Sequence, residues 1–320
     1  MQRIGVLTSG GDASGMNSCI RAVVRKAIYH GLEVMGVHRG YSGLIEGDMC
    51  PMNLSSVADI IGRGGTVLHT ARSERYKTKE GRSQVMENVQ RFGIQGLVVI
   101  GGDGSFMGAQ LLHQEYGLPI IGVPATIDND ISGTDYTIGF DTAVNNVVEA
   151  INKIRDTATS HERTFVIEVM GRDSGNIALA AGLAGGAESI LIPEIPFNID
   201  DISKKLLNGI KRGKLHSIIL VAEGAASGLD IGNIIKEKIG FDTKVSILGH
   251  LQRGGTPSSF DRILAARLGA KAVELLMAGE SNKMIGMRSG EILATDLNEI
   301  IGKRRPIDKE MYDLAKILSI

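Results

Sequence analysis

Tryptophan is missing from this chain of 320 residues, and aromatic residues make up only 4% of it. Since 43% of the residues are hydrophobic all the same, the core must be built from aliphatic side chains. Such cores are typical of parallel sheets that are covered by helices on both faces. The two cysteines, Cys19 and Cys50, cannot form a disulfide framework and do not lie in a CxxC motif. These shortages exclude a disulfide-rich secreted domain and favour a reducing cytosol.

The net charge is close to zero, and long apolar segments are missing as well. The 35 basic and 36 acidic side chains nearly cancel, so no broad field attracts nucleic acid or an anionic membrane. The longest apolar stretch, residues 177–187, is broken by glycine and is far shorter than the roughly 20 residues of a membrane span. The apolar run near the amino terminus breaks at Gly5, too early for a signal peptide. We therefore expect a cytoplasmic protein without nucleic-acid or membrane partners.

Glycine, in contrast, is abundant, with 42 residues against 7 prolines. Many glycines cluster where short β-branched runs end, which indicates backbone that comes close to a ligand. The β-branched runs alternate with helical patterns, and this alternation predicts a parallel sheet with crossover helices. The predicted strands are residues 4–7, 33–37, 97–100, 120–123, 164–169, 189–192, 217–221 and 244–248. The predicted helices include residues 16–29, 84–92, 106–116, 141–157, 200–211 and 261–277.

One pattern occurs twice in the first half of the chain. IGVLTSGGD at residues 4–12 and LVVIGGDGS at residues 97–105 each combine a buried strand, a Gly-Gly-Asp turn and the start of a helix. Ligands of open α/β sheets gather at the carboxyl ends of strands, so both turns are expected at one crevice. A boundary before the long helix near residue 139 predicts an α/β protein of two lobes. The first lobe is residues 1–138, with a share of the C-terminal region as a possible addition, and the second is residues 139–320.

The GGDGS motif at residues 101–105 has the composition of a phosphate cradle. Its glycines let backbone N–H groups approach an anion, and the following helix adds its positive N-terminal end. Asp103 would repel a phosphate directly, and a Mg²⁺ ion between the two resolves that repulsion. The alternative is a tight turn in which Asp103 caps the helix, and so short a motif leaves both interpretations open.

A second motif, PATIDND at residues 124–130, places Thr126, Asp128 and Asp130 at alternate positions. In an extended segment alternate residues share one face, and two carboxylates on one face need a cation or hydrogen bonds to offset their repulsion. One carboxylate can then serve as a general base toward a hydroxyl. A turn capped by its own Asp and Asn side chains is the alternative.

Basic side chains form a third group, and several of them directly follow a predicted strand. Arginine suits phosphate oxygens because its guanidinium can form two parallel hydrogen bonds. A glutamate at another strand end, Glu223, can accept a hydrogen bond from a sugar hydroxyl. Taken singly, each cation is more often a solvated surface residue. Together they indicate a sugar-phosphate pocket formed by Arg72, Arg163, Arg172, His250 and Arg253.

The ordered series of motifs closely resembles the bacterial ATP-dependent 6-phosphofructokinases, and the resemblance runs essentially from end to end. The resemblance implies the phosphofructokinase fold and transfer of the γ-phosphoryl group of MgATP to the 1-hydroxyl of fructose 6-phosphate. The matching motifs are IGVLTSGGD, GMN, EVMGV, GYSGL, RGGT, GLVVIGGDGS, TIDNDISGTDYTIGFDTA, KIRDTATSHERTF, EVMGR, HSIILVAEG, SILGHLQRGG and DRILAARLGA.

The resemblance also implies roles for individual residues. Asp128 is implied as the general base, flanked by Thr126 and Asp130, and Arg172 as the cation that stabilises the transferring phosphoryl group. The implied ATP-binding residues, with Asp103 at the Mg²⁺ position, are Gly11, Tyr41, Arg72, Ser73, Gly102, Asp103, Gly104 and Ser105. The implied sugar-phosphate ligands are Thr126, Asp128, Arg163, Met170, Gly171, Arg172, Glu223, Lys244, His250 and Arg253.

Assembly and regulation follow from the same resemblance. In the family, the residues at positions 163 and 244 reach in from a neighbouring subunit, which implies a homotetramer with shared active sites. A second site would bind ADP or phosphoenolpyruvate as an effector. Its implied residues are Arg21, Arg25, Asp59, Arg155, Glu188, Arg212 and Lys214.

Several positions depart from the family pattern. Lys244 replaces the usual arginine, Ala125 a glycine, Ser14 a proline and Asn176 an aspartate. Residues 73–76 lack the usual Pro-Glu-Phe. Leu54 and Leu215 stand where relatives often carry a basic residue, which weakens the implied effector site.

Two other functions remain open at this point. A pyrophosphate-dependent relative would carry GGDDS and PKTIDND, whereas Gly104 and Ala125 leave the loops here uncharged. A catalytically silent sugar-phosphate sensor would be favoured by loss of Asp103, Asp128 or Arg172, and all three are present. Diacylglycerol and NAD kinases share the GGDG turn, but TIDND followed by MGR and HLQRGG argues against them.

Overall fold

A computed structural model describes residues 1–240 and 242–319 of the chain. The chain divides into two compact units whose segments alternate along the sequence. Unit 1 consists of Met1–Thr126, Ile131–Thr142 and Arg253–Arg305, and unit 2 of Ile127–Asp130, Ala143–Gln252 and Pro306–Ile320.

Unit 1 is built on a 7-stranded sheet in the order β11-β10-β5-β4-β1-β2-β3. The central strands are parallel, whereas β3 and β11 pair antiparallel at the two edges. The strands are β1 (Arg3–Ser9), β2 (Glu33–Val37), β3 (Met49–Met52), β4 (Leu97–Gly101), β5 (Ile120–Pro124), β10 (Lys283–Arg288) and β11 (Glu291–Asp296).

Helices cover this sheet, and one of them continues into unit 2. The fifth helix, α5 (Phe140–His161), begins in unit 1 and has most of its residues in unit 2. The helices of unit 1 are α1 (Met16–Tyr29), α2 (Tyr41–Glu46), α3 (Lys79–Arg91), α4 (Asp103–Tyr116), α9 (Ser259–Met277) and α10 (Leu297–Ile300), with a 3₁₀ turn at Arg75–Lys77.

Unit 2 has a 4-stranded, fully parallel sheet in the order β7-β8-β6-β9. Its strands are β6 (Thr164–Val169), β7 (Ser189–Leu191), β8 (Ser217–Ala222) and β9 (Thr243–Ile247). Its helices are the body of α5, α6 (Asn176–Ala184), α7 (Ile199–Lys211), α8 (Gly228–Ile239) and α11 (Lys309–Leu318), with a 3₁₀ segment at Gly249–Arg253 that ends in unit 1.

The cores are aliphatic, as the composition predicts. In β4, all five residues are buried, and β8 is buried along its full length. Continuous apolar strands of this kind belong to parallel sheets that are covered on both faces. The prediction of a mainly parallel sheet with flanking helices in each lobe is confirmed.

Most predicted strands and helices match the structure within a few residues, and the elements that the periodicity does not reveal have identifiable reasons. The edge strand β3 contains Pro51, which a central strand would not tolerate. The hairpin of β10 and β11 turns at Ser289 and Gly290, both with positive φ. Helix α6 is apolar on nearly every face and therefore lacks an amphipathic period.

Among the described residues, no helix combines the length and the apolar character that crossing a lipid bilayer requires.

Candidate active site

Two glycine turns leave the unit 1 sheet side by side. Strands β1 and β4 are parallel neighbours whose last residues, Ser9 and Gly101, are register partners. A Cβ at Gly101 would come within 2.5 Å of the Ser9 carbonyl oxygen, so only glycine allows this approach. The turn at Gly10–Asp12 and the turn at Gly102–Ser105 therefore share one edge of the sheet, as the repeated motif predicts.

The second turn leads directly into α4. Asp103 is the first helical residue, and Gly102 occupies the N-cap position without any side chain to bond the first N–H groups. The alternative prediction, that Asp103 is the N-cap, is therefore wrong. A Cβ at Gly104 would meet nothing within 4 Å, so the turn is open at this position. An uncapped, glycine-lined helix N-terminus can accept the oxygens of a phosphate group.

The side chains of this turn limit which metal ion could bind here. Asp103 is half-buried, and no group of three or more His, Cys, Asp or Glu side chains that could hold a metal occurs among the described residues. One carboxylate beside a phosphate cradle fits Mg²⁺, which is commonly held by one or two carboxylates together with substrate phosphates and water. It does not fit a metal that needs a cage of protein ligands.

Tyr41 contacts the first turn of α4 from the buried side of the helix. It is buried, its hydroxyl donates a 2.5 Å hydrogen bond to the Ser105 carbonyl, and its ring stacks on Tyr76 with the centroids 4.0 Å apart. The Tyr76 hydroxyl donates to the Gly108 carbonyl at 2.6 Å. Burial raises the pKa of both phenols well above the ordinary value. Tyr76 is a residue that the motifs did not single out, since only its burial reveals its role.

The remaining predicted nucleotide ligands of unit 1 are more open. Gly11 lies in the first turn, Arg72 is exposed, and Ser73 is half-buried in the irregular segment before the 3₁₀ turn.

Arg253, predicted as a sugar-phosphate ligand, lies in unit 1. Its Nη1 donates to the Asp12 carbonyl at 2.9 Å, and a Cβ at Gly11 would collide with its guanidinium. Ser14, which replaces the usual proline, donates to the carbonyl of Gly255 at 2.9 Å. This hydrogen bond ties the Arg253 loop to the first glycine turn.

In unit 2, three predicted ligand segments meet at the carboxyl edge of the sheet. Strand β6 lies between β8 and β9, so the segments that follow these strands are neighbours. The N–H of Arg172 donates to the Glu223 carboxylate at 2.9 Å, and the N–H of Met170 donates to Oε1 of Gln252 at 3.1 Å. His250 is exposed in the segment after β9. Gln252 is fully buried, and sequence reasoning missed it although it lies within HLQRGG.

The turn after β6 aims the Arg172 side chain. Gly171 has a φ of 138° and a Cβ there would come within 2.3 Å of the Ser174 carbonyl oxygen. Arg172 itself has a φ of 52°, a strained conformation of the kind that clusters at functional sites. Its Nε lies 3.6 Å from Oδ2 of Asp128. The side chain of Asp128 is 2% exposed and that of Arg172 59%, so a buried carboxylate faces an accessible cation.

Polar side chains hold the Asp128 backbone in place. Ser174 donates to the Asp128 carbonyl at 3.2 Å, and Nδ2 of Asn176 donates to the Asn129 carbonyl at 2.9 Å. Asn129 adopts a φ of 48°. Because an amide donor is needed opposite a carbonyl, asparagine rather than the aspartate of the family pattern suits position 176.

The other two members of this motif differ in placement. Thr126 closes the first segment of unit 1, where its carbonyl accepts a 2.6 Å hydrogen bond from the Thr137 hydroxyl. Asp130 belongs to unit 2 and is half-buried.

Two predicted sugar-phosphate ligands lie at the opposite edge of the unit 2 sheet. Arg163 directly precedes β6, and Lys244 lies near the start of the parallel strand β9. Both bind Asp242, Arg163 at 2.6 Å and Lys244 at 3.0 Å, and these cations lower the pKa of that carboxyl. At about 3.3 Å per residue, the length of β6 puts roughly 20 Å between Arg163 and the Arg172 turn. One chain therefore does not bring these cations to Asp128.

The residues of the implied effector site fall into two groups. In unit 2, Lys214 binds the Glu188 carboxylate at 2.5 Å, and Arg155 donates to the carbonyls of Gly185 and Gly186. Arg212 is exposed at the end of α7. The unit 1 members, by contrast, are Arg21 and Arg25 on α1, and Asp59 with a φ of 55°.

Comparison with known proteins agrees with this geometry. A family model for phosphofructokinase matches residues 3–276. The chain is 59% identical over 332 residues to the ATP-dependent 6-phosphofructokinase of Halothermothrix orenii, and the alignment covers 100% of both chains. It is also 59% identical over 320 residues, and 100% of both chains, to the ATP-dependent 6-phosphofructokinase of Bacillus subtilis.

Solved structures share the fold. Phosphofructokinase from Saccharomyces cerevisiae superposes with a TM-score of 0.91 at 37% identity, over 99% of this chain and 47% of that chain. A pyrophosphate-dependent phosphofructokinase from Marinobacter aquaeolei superposes with a TM-score of 0.88 at 24% identity, over 97% of this chain and 86% of that chain, and this likeness shows the fold alone. With a family model spanning most of its length and full-length relatives of this identity, the chain belongs to the phosphofructokinase family.

Proposed function

We propose that this protein transfers the γ-phosphoryl group of ATP to the 1-hydroxyl of fructose 6-phosphate, as an ATP-dependent 6-phosphofructokinase of glycolysis. The observation that carries the proposal is the buried Asp128 carboxylate 3.6 Å from the accessible Arg172 guanidinium, at the edge where β6, β8 and β9 end. A base beside a cation, next to hydrogen-bonding groups for a sugar, is what phosphoryl transfer to a hydroxyl requires.

Asp128 acts as the general base in this proposal. Its carboxylate takes the proton of the attacking sugar hydroxyl as the oxygen–phosphorus bond forms. Thr126 and Asp130 flank it and orient the acceptor. Arg172 stabilises the negative charge on the transferring phosphoryl oxygens, a task that suits an accessible guanidinium.

The acceptor sugar is held along the same edge of unit 2. Glu223 accepts from a sugar hydroxyl, and its existing hydrogen bond from the Arg172 N–H keeps the two side by side. Met170 and Gly171 contribute backbone, and His250 donates to phosphate oxygens.

Unit 1 binds the nucleotide. The helix N-terminus at Gly102–Ser105 receives phosphate oxygens, while Arg72, Ser73 and Gly11 complete the nucleotide pocket. Arg253, the predicted sugar-phosphate ligand that lies in unit 1, offers a further cation to phosphate oxygens. Tyr41 acts here as a positioning residue, because its hydroxyl bonds the Ser105 carbonyl from the buried side of α4.

Asp103 would hold Mg²⁺ together with the nucleotide phosphates. When bound, that ion neutralises negative charge on the phosphates and orients the γ-phosphoryl group.

We further propose that the protein is a homotetramer with shared active sites. Arg163 and Lys244 lie at the amino edge of the unit 2 sheet, far from Asp128 of the same chain. If they bind the 6-phosphate, they do so in the site of a neighbouring subunit. Arg163 is half-buried and Lys244 is exposed, and Asp242 holds both cations together at this edge of the sheet.

Regulation is proposed at the cationic residues of α1 and of the Glu188 region. Arg21 and Arg25 are separated by one helical turn and repel each other unless an anion lies between them. ADP or phosphoenolpyruvate supplies that anion, with Asp59, Arg155, Glu188, Arg212 and Lys214 completing the site. The cytoplasm is the compartment in which this substrate and these effectors meet the enzyme.

The direct test of Asp128 compares wild type with Asp128→Asn in an assay that couples fructose 1,6-bisphosphate formation to aldolase. The variant is expected to lose about 10²- to 10⁴-fold in kcat, the usual contribution of a general base, with a much smaller change in KM for fructose 6-phosphate. Asp156→Asn, on the exposed face of α5, serves as the matched control and keeps wild-type turnover. Near-normal turnover of Asp128→Asn would remove Asp128 from the mechanism.

A further inference from the structure

Unit 2 contains a cavity of about 320 Å³ that the proposed kinase chemistry does not use. It lies between β7, the loop that leads to α7, the first turns of α7 and the C-terminal helix α11. Its size falls in the range of small-molecule sites. Glu188, a residue of the proposed effector site, also lines the cavity, and its carboxylate is already engaged by Lys214 and by the Ile218 N–H.

Two ammonium groups of the cavity form no ion pair with a described residue, although the Glu188 carboxylate acts on Lys205 at longer range. Lys205 donates to the Glu188 carbonyl at 2.6 Å and to the Ser319 hydroxyl at 2.5 Å. Since an ammonium has three N–H donors, one donor remains for a ligand. Lys316 lies 4.5 Å from the centre of the Tyr312 ring. Among the residues that the structure describes, no carboxylate lies within ion-pair distance of either group.

The surroundings limit how much negative charge the cavity accepts. Burial lowers the pKa of Lys205 below its ordinary value, and a bound anion would offset that effect. Asp201 also lines the cavity, where its carboxylate lies 3.7 Å from Lys204 and is largely exposed. Lys205 offers one remaining donor and Lys316 one exposed ammonium, a set that a single carboxylate group satisfies.

The walls away from the two lysines are apolar. Ile190, Leu191 and Ile202 form one side, and Phe197 and Tyr312 contribute aromatic surface. A flat hydrocarbon group can pack between such side chains and gain the free energy of leaving water.

We propose that this cavity is a further binding site, apart from the active site and the proposed effector site, that takes a small monocarboxylate with a flat apolar body. The carboxylate accepts a hydrogen bond from the free Lys205 donor and faces Lys316, while the apolar body lies against Phe197 and Tyr312. The proposal is independent of the kinase function, because it uses no catalytic or nucleotide-binding residue.

Benzoate is a suitable probe, with benzyl alcohol and benzylamine as neutral and cationic analogues of similar shape. Binding to the full-length protein is measured by isothermal titration calorimetry and by saturation-transfer NMR. Benzoate is expected to bind saturably at one site per chain and at least tenfold more tightly than either analogue. Lys205→Met should weaken benzoate binding at least tenfold and Lys316→Met severalfold. Lys211→Met, an exposed lysine of α7 outside the cavity, should bind benzoate like wild type.

Three results would overturn the proposal. They are the absence of saturable benzoate binding to the wild type, equal binding of the three probes, and unchanged benzoate affinity in both Lys205→Met and Lys316→Met. Lys316 is exposed, so its variant reports on the site even if Lys205→Met does not fold. Turnover with fructose 6-phosphate is assayed separately, so failure of this site is distinguishable from failure of the kinase proposal.

Discussion

The surroundings of Asp128 show how much of a site residue's environment the sequence predicts. The alternate spacing of TIDND predicts that its carboxylates need a cation or hydrogen bonds to offset their repulsion, and Arg172 lies 3.6 Å from Asp128. The supports of this pair, Asn176 and Gln252, form hydrogen bonds to segments far away in the sequence. No local pattern encodes such bonds, and only the folded chain reveals them.

Lys244 offers a prediction about substrate affinity. In the proposed assembly it binds the 6-phosphate, which is remote from the reacting hydroxyl, so its contribution is mainly to binding. Lys244→Ala is expected to raise KM for fructose 6-phosphate clearly more than it lowers kcat, with KM for ATP nearly unchanged. Lys244→Arg should be tolerated or bind better, because a guanidinium can contact two phosphate oxygens. Steady-state kinetics with each substrate varied in turn measures both effects.

Lys236→Ala is the matched control, since Lys236 is an exposed lysine of α8 in the same unit. Unaltered fructose 6-phosphate saturation in Lys244→Ala would mean that Lys244 does not contact the sugar phosphate.

At the scale of elements, the sequence is most informative where a periodic segment ends at a clear signal. The bounds of α1, β2 and β6 agree residue for residue with the periodicity. Helix α8, in contrast, is not among the predicted helices. The Ser227 side chain caps it by accepting a hydrogen bond from the Asp230 N–H, and Gly240 ends it in the left-handed conformation. A serine at the N-cap and a glycine just past the last turn are themselves sequence signals of a helix at this position.

The start of α9 carries a buried carboxylate that joins two helix N-termini. Asp261 accepts hydrogen bonds from the N–H groups of Gly139 and Thr142, each at 2.8 Å, and from the Thr142 hydroxyl at 2.5 Å. Thr142 lies in the first turn of α5. Burial nevertheless raises the pKa of the Asp261 carboxyl to about 6 from an ordinary 3.8.

This pKa predicts a pH dependence of stability. Because folding raises the pKa, the folded state binds the proton more tightly, and the stabilisation from protonation grows as pH falls from about 6 toward 3.8. It is on the order of 3 kcal/mol at most, at about 1.4 kcal/mol per pKa unit. In Asp261→Asn the side chain cannot titrate. We therefore expect the free energy of unfolding in urea to be higher for wild type than for the variant, and this difference to be larger at pH 4 than at pH 7.

Groups that titrate elsewhere contribute equally to both proteins and cancel in the difference. Asp156→Asn, which alters an exposed carboxylate, is measured in parallel as the matched control. A margin for Asp261→Asn that stays the same at both pH values would contradict the raised pKa.

At the scale of the whole molecule, the composition and the order of strands and helices predict a two-lobed α/β protein, but they do not predict which segments join which unit. Residues 253–305 return to unit 1, and α11 returns to unit 2. Helix α9 packs on α1, more than two hundred residues earlier in the chain. Packing between segments so distant in sequence leaves no trace in local periodicity.

The proposed sharing of active sites between subunits leads to a prediction about mixed subunits. If Lys244 of one chain serves the site that contains Asp128 of another, a hybrid of Asp128→Asn and Lys244→Ala subunits contains some sites with neither substitution. Dissociating and reassembling a mixture of the two variants should then give more activity, at low fructose 6-phosphate, than the sum of the two reassembled separately. Activity equal to that sum would place Lys244 and Asp128 in the site of the same chain, or Lys244 in none.

The identity of the phosphoryl donor tests the central claim most directly, because the fold is shared with pyrophosphate-dependent relatives. Gly104 is open, so a nucleotide can lie against the start of α4 without meeting a side chain there. With fructose 6-phosphate saturating and the two donors at equal concentration, ATP is expected to exceed pyrophosphate by more than about tenfold in kcat/KM. Gly104→Asp should lower the value for ATP through bulk and through charge repulsion. A preference of the wild type for pyrophosphate, or equal use of the two donors, would contradict the account.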